Sequence, residues 1–441
     1  MINEFLKYAI PSAIAMFMSA LYTIIDGIFV GQGVGDSALA AVNIVLPFTV
    51  MLVGMANMMA VGGGALVSKN IGSNNVNKAV NIFRQVCKFL LIVSIFVTVF
   101  CFVFAKQIVN LLGATTNLEA MATDYLRFYV LFSIPNVVGI VLNSFARNDQ
   151  IPKLAMVSTI AGAITNIVLD YIFIFELDFG IKGAAIATGL GQIVTVSILL
   201  PHFIRKKGYL SFGKVELKME TIKEFLKIGL PSFFAQASYS VIVLLHNLII
   251  TKNIGEIGVS SYSIINYVGT TIYMVLYGLA LGSQPLVSYN YGRRDIKNML
   301  GFYKITCISS VLFTCLATFI CFVFGKTLIS IFTSDSQIAE LTYLGLRFAV
   351  LSYFGVGLCL NTIVYYQAIE IPKYSNLICA FRSVIILPIG LIMLSKLFGP
   401  NGVWGATLFS ETVTFIAINL IANIKLKTLK STEESNTTTV A

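Results

Sequence analysis

Long apolar runs alternate with short polar breaks along the whole chain. Within the runs, hydrophobic and polar positions do not alternate as they do in transmembrane barrel strands, so helices are the better interpretation. An α-helix needs roughly 20 apolar residues to cross the hydrocarbon core of a bilayer. The polar breaks predict twelve spans, near 5–30, 38–67, 86–112, 119–146, 153–175, 181–204, 223–250, 258–287, 302–332, 338–366, 373–397 and 402–424.

The composition indicates a membrane protein. Hydrophobic residues make up 57% of the 441 residues and charged residues only 11%, whereas a soluble domain carries about 25% charged residues. The seven cysteines are scattered through apolar stretches without a Cys-x-x-Cys pair. Their odd number and their spacing argue against a disulfide framework or a zinc site.

The lysines and arginines orient the spans. If the connections alternate from a cytoplasmic N-terminus, basic residues concentrate on the inner segments, such as 205–207 and 293–297, and are few on the outer ones. This positive-inside bias predicts a multi-pass protein of the cytoplasmic (inner) membrane with both termini in the cytoplasm. The net charge of +10 is then a consequence of topology, and no nucleic-acid partner is expected.

The chain contains an internal repeat with one constant offset between its copies. Glu-Phe-Leu-Lys at 4–7 returns at 224–227, and Cys-Phe-Val-Phe at 101–104 returns at 321–324. Each half holds six predicted spans, an even number, so the halves share one orientation in the membrane. Parallel repeats of this kind are typical of transporters.

We therefore predict an all-α polytopic membrane protein with twelve transmembrane helices in two lobes of six, related by the parallel repeat. The domain boundaries that follow are 1–204 for the N-lobe (spans 1–6), 205–222 for a cytoplasmic linker, 223–426 for the C-lobe (spans 7–12) and 427–441 for a polar C-terminal tail.

Two carboxylates lie inside spans of the first half, where an ionisable group costs several kcal/mol unless it is paired or hydrated. Asp26 is near the outer end of span 1, and Asp170 is roughly 25 Å above the inner end of span 5 at about 1.5 Å per residue. Asn166 lies one turn below Asp170, Thr188 is at a compatible depth in span 6, and Tyr22 is one turn from Asp26. These groups suit a hard cation or a proton. A helix cap at Asp26 and a structural anchor at Asp170 are the alternative.

The second half differs at the corresponding positions. At the repeat offset, Asp26 maps onto His246, which either titrates or is a buried, hydrogen-bonded histidine. Asp170 has no acidic counterpart. Arg382 in span 11 and Glu411 in span 12 both lie near mid-membrane, so we predict an intramembrane ion pair. Its role is either a structural lock or substrate binding.

Pro11 removes an intrahelical hydrogen bond from span 1 and permits a kink. It precedes Asp26 by about four helical turns, so a hinge there would couple ion occupancy to the shape of the helix. Packing alone is the alternative.

Three sequence runs match segments of a known transporter family: YTIIDGIFVG at 22–31, NIVLDYIFI at 166–174 and GAAIAT at 183–188. They resemble the first, fifth and sixth helices of the multidrug and toxic compound extrusion (MATE) transporters, and the resemblance extends over essentially the whole chain. It is strongest to bacterial branches with a cation site in the N-lobe. The resemblance implies that this site is lined by Asp26, Asn166, Asp170 and Thr188, with Pro11 at the bend of the first helix and with Tyr22 and Asn143 at neighbouring positions.

The sequence also departs from the family. Some members carry a glutamate in helix 7 for a C-lobe cation site, but the segment 230–238 offers only Gln236 and no acid. This favours coupling through the N-lobe.

The resulting hypothesis is a secondary antiporter that exports small organic molecules in exchange for H⁺ or Na⁺ by alternating access. The resemblance implies cationic, multidrug substrates. The expected partners are the substrate and the lipid bilayer, the expected state is a monomer, and neither a cofactor nor a catalytic residue is expected. A membrane enzyme is disfavoured, because no zincin motif, Ser/His/Asp constellation or phosphate-binding loop is present.

Two other transporter classes remain as alternatives. A lipid-linked precursor flippase of the same superfamily would need a more cationic cavity, and Arg127, Arg347 and Arg382 are the only arginines within the predicted spans. A major-facilitator transporter would carry a Gly/Asp/Arg-rich loop after span 2, which the segment 68–75 matches poorly.

Overall fold

The structure is a computed structural model that describes residues 1–417, except for the side chains of Asp36, Leu39, Tyr239 and Ser240. Within this range the chain is almost entirely helical and has no β-strand. The predicted polar tail, 427–441, lies outside the described residues, as does the end of the twelfth predicted span.

The first half of the chain forms eight helices. The third begins at residue 76, well before the predicted span, because its first turns are polar and hydropathy detects only the lipid-facing part. The helices are α1 (Ile2–Gly33), α2 (Asp36–Gly72), α3 (Val76–Val103), α4 (Ala105–Leu111), α5 (Thr116–Leu131), α6 (Ser133–Asn148), α7 (Pro152–Tyr171), which continues as a π-helical turn (Ile172–Glu176), and α8 (Gly180–Ile204).

The second half follows the same order with longer, less interrupted helices. They are α9 (Met219–Asn253), α10 (Glu256–Gly292), α11 (Ile296–Ser330), α12 (Ser336–Ala368), α13 (Pro372–Ala380), a π-helical turn (Phe381–Ile386), α14 (Leu387–Phe398) and α15, which is helical over 400–417.

Ten helical stretches of the described chain are long and apolar enough to cross a bilayer. The pair α5 and α6 adds an eleventh if it forms one span, bent by 49° between its halves. The twelfth predicted span, 402–424, begins within α15. The helices exceed the roughly 20 residues that a bilayer requires, so several extend beyond the hydrocarbon core.

The internal repeat is present in the backbone as well as in the sequence. Residues with positive φ, a conformation that most side chains disfavour, recur at the repeat offset in the turns between helices. The matched pairs are Gly35 and Gly255, Asn74 and Arg294, and Gln150 and Glu370. Corresponding helices of the two halves therefore end in the same way.

The chain forms two compact units that do not coincide with the sequence halves. Unit 1 comprises 1–240, 270–310 and 361–376, and unit 2 comprises 241–269, 311–360 and the residues from 377 onward. Unit 1 thus contains the first half together with one end of each helix from α9 to α13. The boundaries of the two lobes given above remain a prediction.

The segment after α8 is part of the core of unit 1. The Phe83 ring lies 4.9 Å from that of Phe145, 5.2 Å from Phe203 and 5.3 Å from Phe212, between ring centroids. Phe212 belongs to the predicted linker, and the neighbouring Leu210 is fully buried. The linker is therefore packed onto the first half.

Candidate cation site

Three helices of unit 1 bring the predicted cation-binding residues together. α1 packs along α7, and α7 packs along α8. The last two cross closely because glycines meet there: a Cβ atom on Gly191 would lie 2.7 Å from the Gly162 carbonyl oxygen. One turn along this crossing, the Asn166 amide donates to the Thr188 hydroxyl over 3.4 Å.

The two predicted acids face each other across α1 and α7. The Asp26 and Asp170 carboxyl groups are close enough to share a hydrogen bond if one of them carries a proton. Asp170 has no exposed surface and Asn166 is 2% exposed. The structure thus brings together Asp26, Asn166, Asp170 and Thr188, the four residues implied by the resemblance.

Four oxygens of this cluster are buried without a hydrogen-bond donor. They are Oδ1 of Asp26, both carboxyl oxygens of Asp170 and Oδ1 of Asn166. Buried polar atoms in proteins are almost always hydrogen-bonded, and ionised carboxylates can only accept. A proton shared by the acids, or a small hard cation among the oxygens, would satisfy them.

The donor set does not suit a transition metal. No group of three or more His, Cys, Asp or Glu side chains is positioned to hold a metal ion anywhere in residues 1–417. Oxygen donors, two of them acidic, suit hard cations such as Na⁺ rather than softer metals.

Two tyrosines complete the surroundings of the acids. Tyr22, one turn before Asp26, interacts electrostatically with both carboxyl groups. Tyr125 on α5 does so as well, and its side chain is 7% exposed. The sequence analysis missed Tyr125, because a tyrosine within an apolar span carries no signal in hydropathy.

A narrow gap adjoins the cluster on the side of Thr188. Its walls include the polar side chains of Tyr129, Asn136, Thr188 and Gln192 beside the ring of Phe132, and it is too narrow to hold a water molecule. The Asn136 amide donates to the Tyr129 hydroxyl over 3.1 Å. Polar groups therefore extend from the cluster along this side of α8.

Asn143 does not belong to this cluster, contrary to the sequence-based expectation. Its amide donates to the Ala155 carbonyl oxygen over 2.8 Å and to the Thr159 hydroxyl over 2.9 Å, and its carbonyl oxygen accepts from Arg147. Thr159 lies about three helical turns before Asp170 on the same helix, or about 16 Å away. Asn143 therefore stabilises the opposite end of α7.

Pro11 is buried within α1, which remains helical from Ile2 to Gly33. A hinge at this residue remains a prediction.

In unit 2, the residue that replaces Asp26 is held by two hydrogen bonds. His246 Nδ1 lies 2.9 Å from the Ile242 carbonyl oxygen, and Nε2 lies 3.1 Å from the Thr407 hydroxyl. A carbonyl oxygen only accepts, so Nδ1 carries a proton, whereas the Thr407 hydroxyl can donate to Nε2 or accept from it. The ring also stacks on Tyr262, with 5.1 Å between centroids. His246 is thus a buried, hydrogen-bonded histidine, and its titration remains a prediction.

The structure pairs Arg382 with Glu411 in unit 2. Nη2 and Nε of Arg382 lie 2.6 and 2.9 Å from Oε1 of Glu411, and the two residues are 8% and 3% exposed. Arg382 lies in the π-helical turn that interrupts its span, and the Ser410 hydroxyl donates to its carbonyl oxygen over 2.7 Å. Gly355 lets α12 pass close to Glu411, since an added Cβ would lie 2.6 Å from the glutamate Cβ.

Comparison with known proteins gives one family. The MatE family model matches residues 11–172 and 231–392, two segments related by the offset of the internal repeat. The multidrug export protein MepA of Staphylococcus saprophyticus is 27% identical over 424 residues, covering 94% of this chain and 92% of that protein. MepA of Staphylococcus haemolyticus is 25% identical over 425 residues, covering 95% and 93%.

Solved structures share the fold. An outward-facing multidrug resistance MATE family transporter of the MOP superfamily has a TM-score of 0.92 at 23% identity, covering 97% of this chain and 96% of that one. Because the family model matches both halves of the sequence with the spacing of the internal repeat, this chain belongs to the MatE family, the MATE transporters that its sequence resembles.

Proposed function

We propose that this protein is a secondary antiporter that exports small organic molecules from the cell in exchange for H⁺ or Na⁺. The observation that carries the proposal is the pair of acids, Asp26 and Asp170: Oδ1 of Asp26 and both carboxyl oxygens of Asp170 are buried and accept no hydrogen bond. The MepA relatives, whose names describe multidrug export, support organic compounds as the substrates. We expect these to be cationic, since a binding route that ends at carboxylates attracts positive charge.

The two acids explain how binding of the coupling ion would change the conformation of the protein. Two ionised carboxylates side by side repel each other, so α1 and α7 are held together best when a proton or Na⁺ lies between them. An ion drives a conformational change only if it binds one state more tightly than the other. Separation of α1 from α7 would remove the Asp26 carboxylate from the other oxygens of the site, and this supplies the difference in affinity.

We infer a route for the ion along the polar side chains beside Thr188. Gln192 and Thr188 lie one turn apart on α8 and therefore on one face of the helix, and the Asn166 amide donates to the Thr188 hydroxyl. The gap between these side chains is too narrow for a water molecule in this form, so entry of the ion requires the gap to widen.

We propose that both termini lie in the cytoplasm, which the basic loops favour by the positive-inside rule, and that the protein lies in the cytoplasmic membrane, which its bacterial relatives support. We propose a monomer as the working unit, since each chain carries both halves of the repeat.

The test is export of a fluorescent organic cation from proteoliposomes under an imposed pH or Na⁺ gradient. We expect one gradient to drive export by the wild type, and Asp26→Asn and Asp170→Asn each to abolish it. Asp178→Asn is the matched control, because this exposed residue follows the same span and lies outside the cluster. If neither gradient drives export, the antiport proposal is wrong. If Asp26→Asn retains coupling, the assignment of the ion site is wrong.

The flippase alternative has less support. Of the arginines within spans, Arg382 is neutralised by Glu411. Arg127 and Arg347 are exposed and lie over the rings of Phe102 and Phe322. A cluster of unneutralised arginines for a phosphate-bearing lipid is thus missing from the described spans.

A further inference from the structure

Within unit 1, α2 of the first half crosses α10 of the second half with the two backbones in contact. A Cβ atom on Gly72 would lie 2.0 Å from the Tyr289 carbonyl oxygen, and one on Gly292 would lie 2.0 Å from the Lys69 carbonyl oxygen. Gly72 corresponds to Gly292 in the internal repeat, and Lys69 corresponds to Tyr289. The repeat therefore relates the two sides of this contact, and only glycine permits the approach.

A second layer of contacts lies a few turns away. A Cβ on Gly62 of α2 would lie 1.9 Å from the Phe225 carbonyl oxygen of α9, and one on Gly282 of α10 would lie 2.9 Å from the Tyr8 carbonyl oxygen of α1. Gly62 and Gly282 are again related by the repeat. Both halves thus use glycines at matching positions to bring helices of the other half into backbone contact.

A buried side-chain hydrogen bond also joins the halves here. The Gln284 amide of α10 donates to the Val61 carbonyl oxygen of α2 over 2.8 Å. Gln284 and Val61 are each 1% exposed. Separation of α2 from α10 would expose these buried partners to water.

One ion pair breaks the symmetry of the interface. Lys69 Nζ of α2 lies 2.5 Å from Oε2 of Glu370, in the turn between α12 and α13. At the positions related by the repeat, the residues are Tyr289 and Gln150, which form no charged pair. The side chains of Lys69 and Glu370 are 35% and 15% exposed, so the pair lies at the rim, where water would enter first.

We propose that this interface is the cytoplasmic gate of the transporter in its closed form, with the Lys69–Glu370 ion pair as its latch. The inference rests on the proposed alternating access and on the orientation given by the basic loops. Opening toward the cytoplasm requires α2 and α10 to separate, which breaks the ion pair and the hydrogen bond from Gln284 to Val61. The glycines are needed only for the closed form, because an added methyl group clashes only when the helices touch.

The proposal predicts that substitutions at the glycines and at the ion pair shift the equilibrium between the closed and open forms by different amounts. Gly72→Ala and Gly292→Ala should each shift the equilibrium toward the open form on the order of tenfold, the effect of forcing a methyl group into a closely packed contact. Glu370→Gln should shift it by about twofold to fivefold, because the ion pair is partly exposed. Exchange of the charges in the double variant Lys69→Glu/Glu370→Lys should restore most of the closed population.

The experiment is a distance measurement between spin labels on the full chain in nanodiscs. In a variant without the seven native cysteines, Asn77→Cys and Lys297→Cys carry the labels. These exposed residues are related by the repeat and lie in the first turns of α3 and α11. We expect a short distance in the parent protein and an added longer distance in Gly72→Ala, Gly292→Ala and Glu370→Gln.

The controls test each part of the proposal. Gly405→Ala, at a helical glycine with open space around it, and Glu370→Asp, which keeps the charge, should leave the short distance dominant. Unchanged distances in Gly72→Ala and Glu370→Gln, with monodisperse proteins that unfold cooperatively, would overturn the gate. Failure of the exchanged pair to restore the short distance would overturn the latch. The measurement needs no gradient, so loss of gradient-driven export in the wild type would refute antiport and leave the gate intact.

Discussion

The two halves of this transporter place different chemistry on the same helix positions. In the first half, Asp26 and Asp170 form an acidic pair in which three carboxyl oxygens are buried without a hydrogen-bond donor. In the second half, the residue at the position of Asp26 is His246, whose two ring nitrogens are both hydrogen-bonded, and Gly390 stands where Asp170 would be.

The two charged side chains near mid-membrane in the second half neutralise each other. Arg382 and Glu411 form an internal pair, and at the position of Arg382 the first half has Gly162, which only packs against α8. The two halves therefore share a scaffold but differ in their intramembrane charges. The acids of the first half need a proton or a cation from solution, whereas Arg382 and Glu411 of the second half already neutralise each other. The comparison predicts ion coupling through the first half and rigidity in the second.

The largest effect should follow from breaking the ion pair of the second half. Arg382→Ala or Glu411→Ala leaves a buried charge without its partner, and each should destabilise the protein by about 3–5 kcal/mol. The double variant should lose much less than the sum of the two. Thermal unfolding of the four proteins in detergent measures this coupling. Additive losses would show that the two side chains do not stabilise each other.

Much of this comparison was accessible from the sequence, for a physical reason. An acid within an apolar span is so costly that it stands out as a single residue, and this identified Asp26, Asp170 and Glu411. The repeat was equally plain because one constant offset applies along both halves. Sequence alone thus located the acidic site and the charged pair, which are exceptions to the hydrophobic pattern.

The residues that the sequence did not reveal depend on which helices touch. Gly72 and Gly292 are two of 34 glycines, and only the crossing of α2 and α10 shows that they are required. Tyr125 is one aromatic side chain among many, until α5 places it beside the acids. Asn143 was assigned to the acidic site by resemblance, which gives a position along the helix but not its distance from Asp170.

A smaller effect should follow from removal of a hydroxyl near the acids. Tyr125→Phe keeps the packing of α5 but removes the polar group that interacts with Asp26 and Asp170. The expected result is a rise of about twofold in the ion concentration for half-maximal export, because the hydroxyl is an electrostatic neighbour of the acids and not their hydrogen-bond donor. Tyr262→Phe is the matched control, because Tyr262 stacks on His246 in the second half. Equal shifts in both variants would mean that the hydroxyl acts on folding and not on ion binding.

The smallest expected difference lies in two helix caps that the repeat relates, Asn75 and Asp295. Asn75 Oδ1 accepts from the Lys78 backbone N–H over 3.3 Å, and Asp295 Oδ1 accepts from the Asn298 backbone N–H over 3.0 Å. The backbone N–H and the side chain of Asn298 lower the pKa of Asp295 below its usual 3.8. Ionised Asp295 therefore stabilises the fold above that pH, and this contribution is lost as the pH falls through the lowered pKa. Asn75 does not titrate.

Thermal unfolding between pH 5 and pH 3 measures this difference, with wild type compared with Asp295→Asn, which copies the cap of the first half. We expect the wild type to lose slightly more stability than Asp295→Asn on acidification, because only the wild type loses the charge on this cap. The effect should be small, since the carboxylate is exposed to water and surface charges contribute little. Identical pH profiles would show that the Asp295 cap works through its hydrogen bond alone and that its charge adds nothing to the cap of the second half.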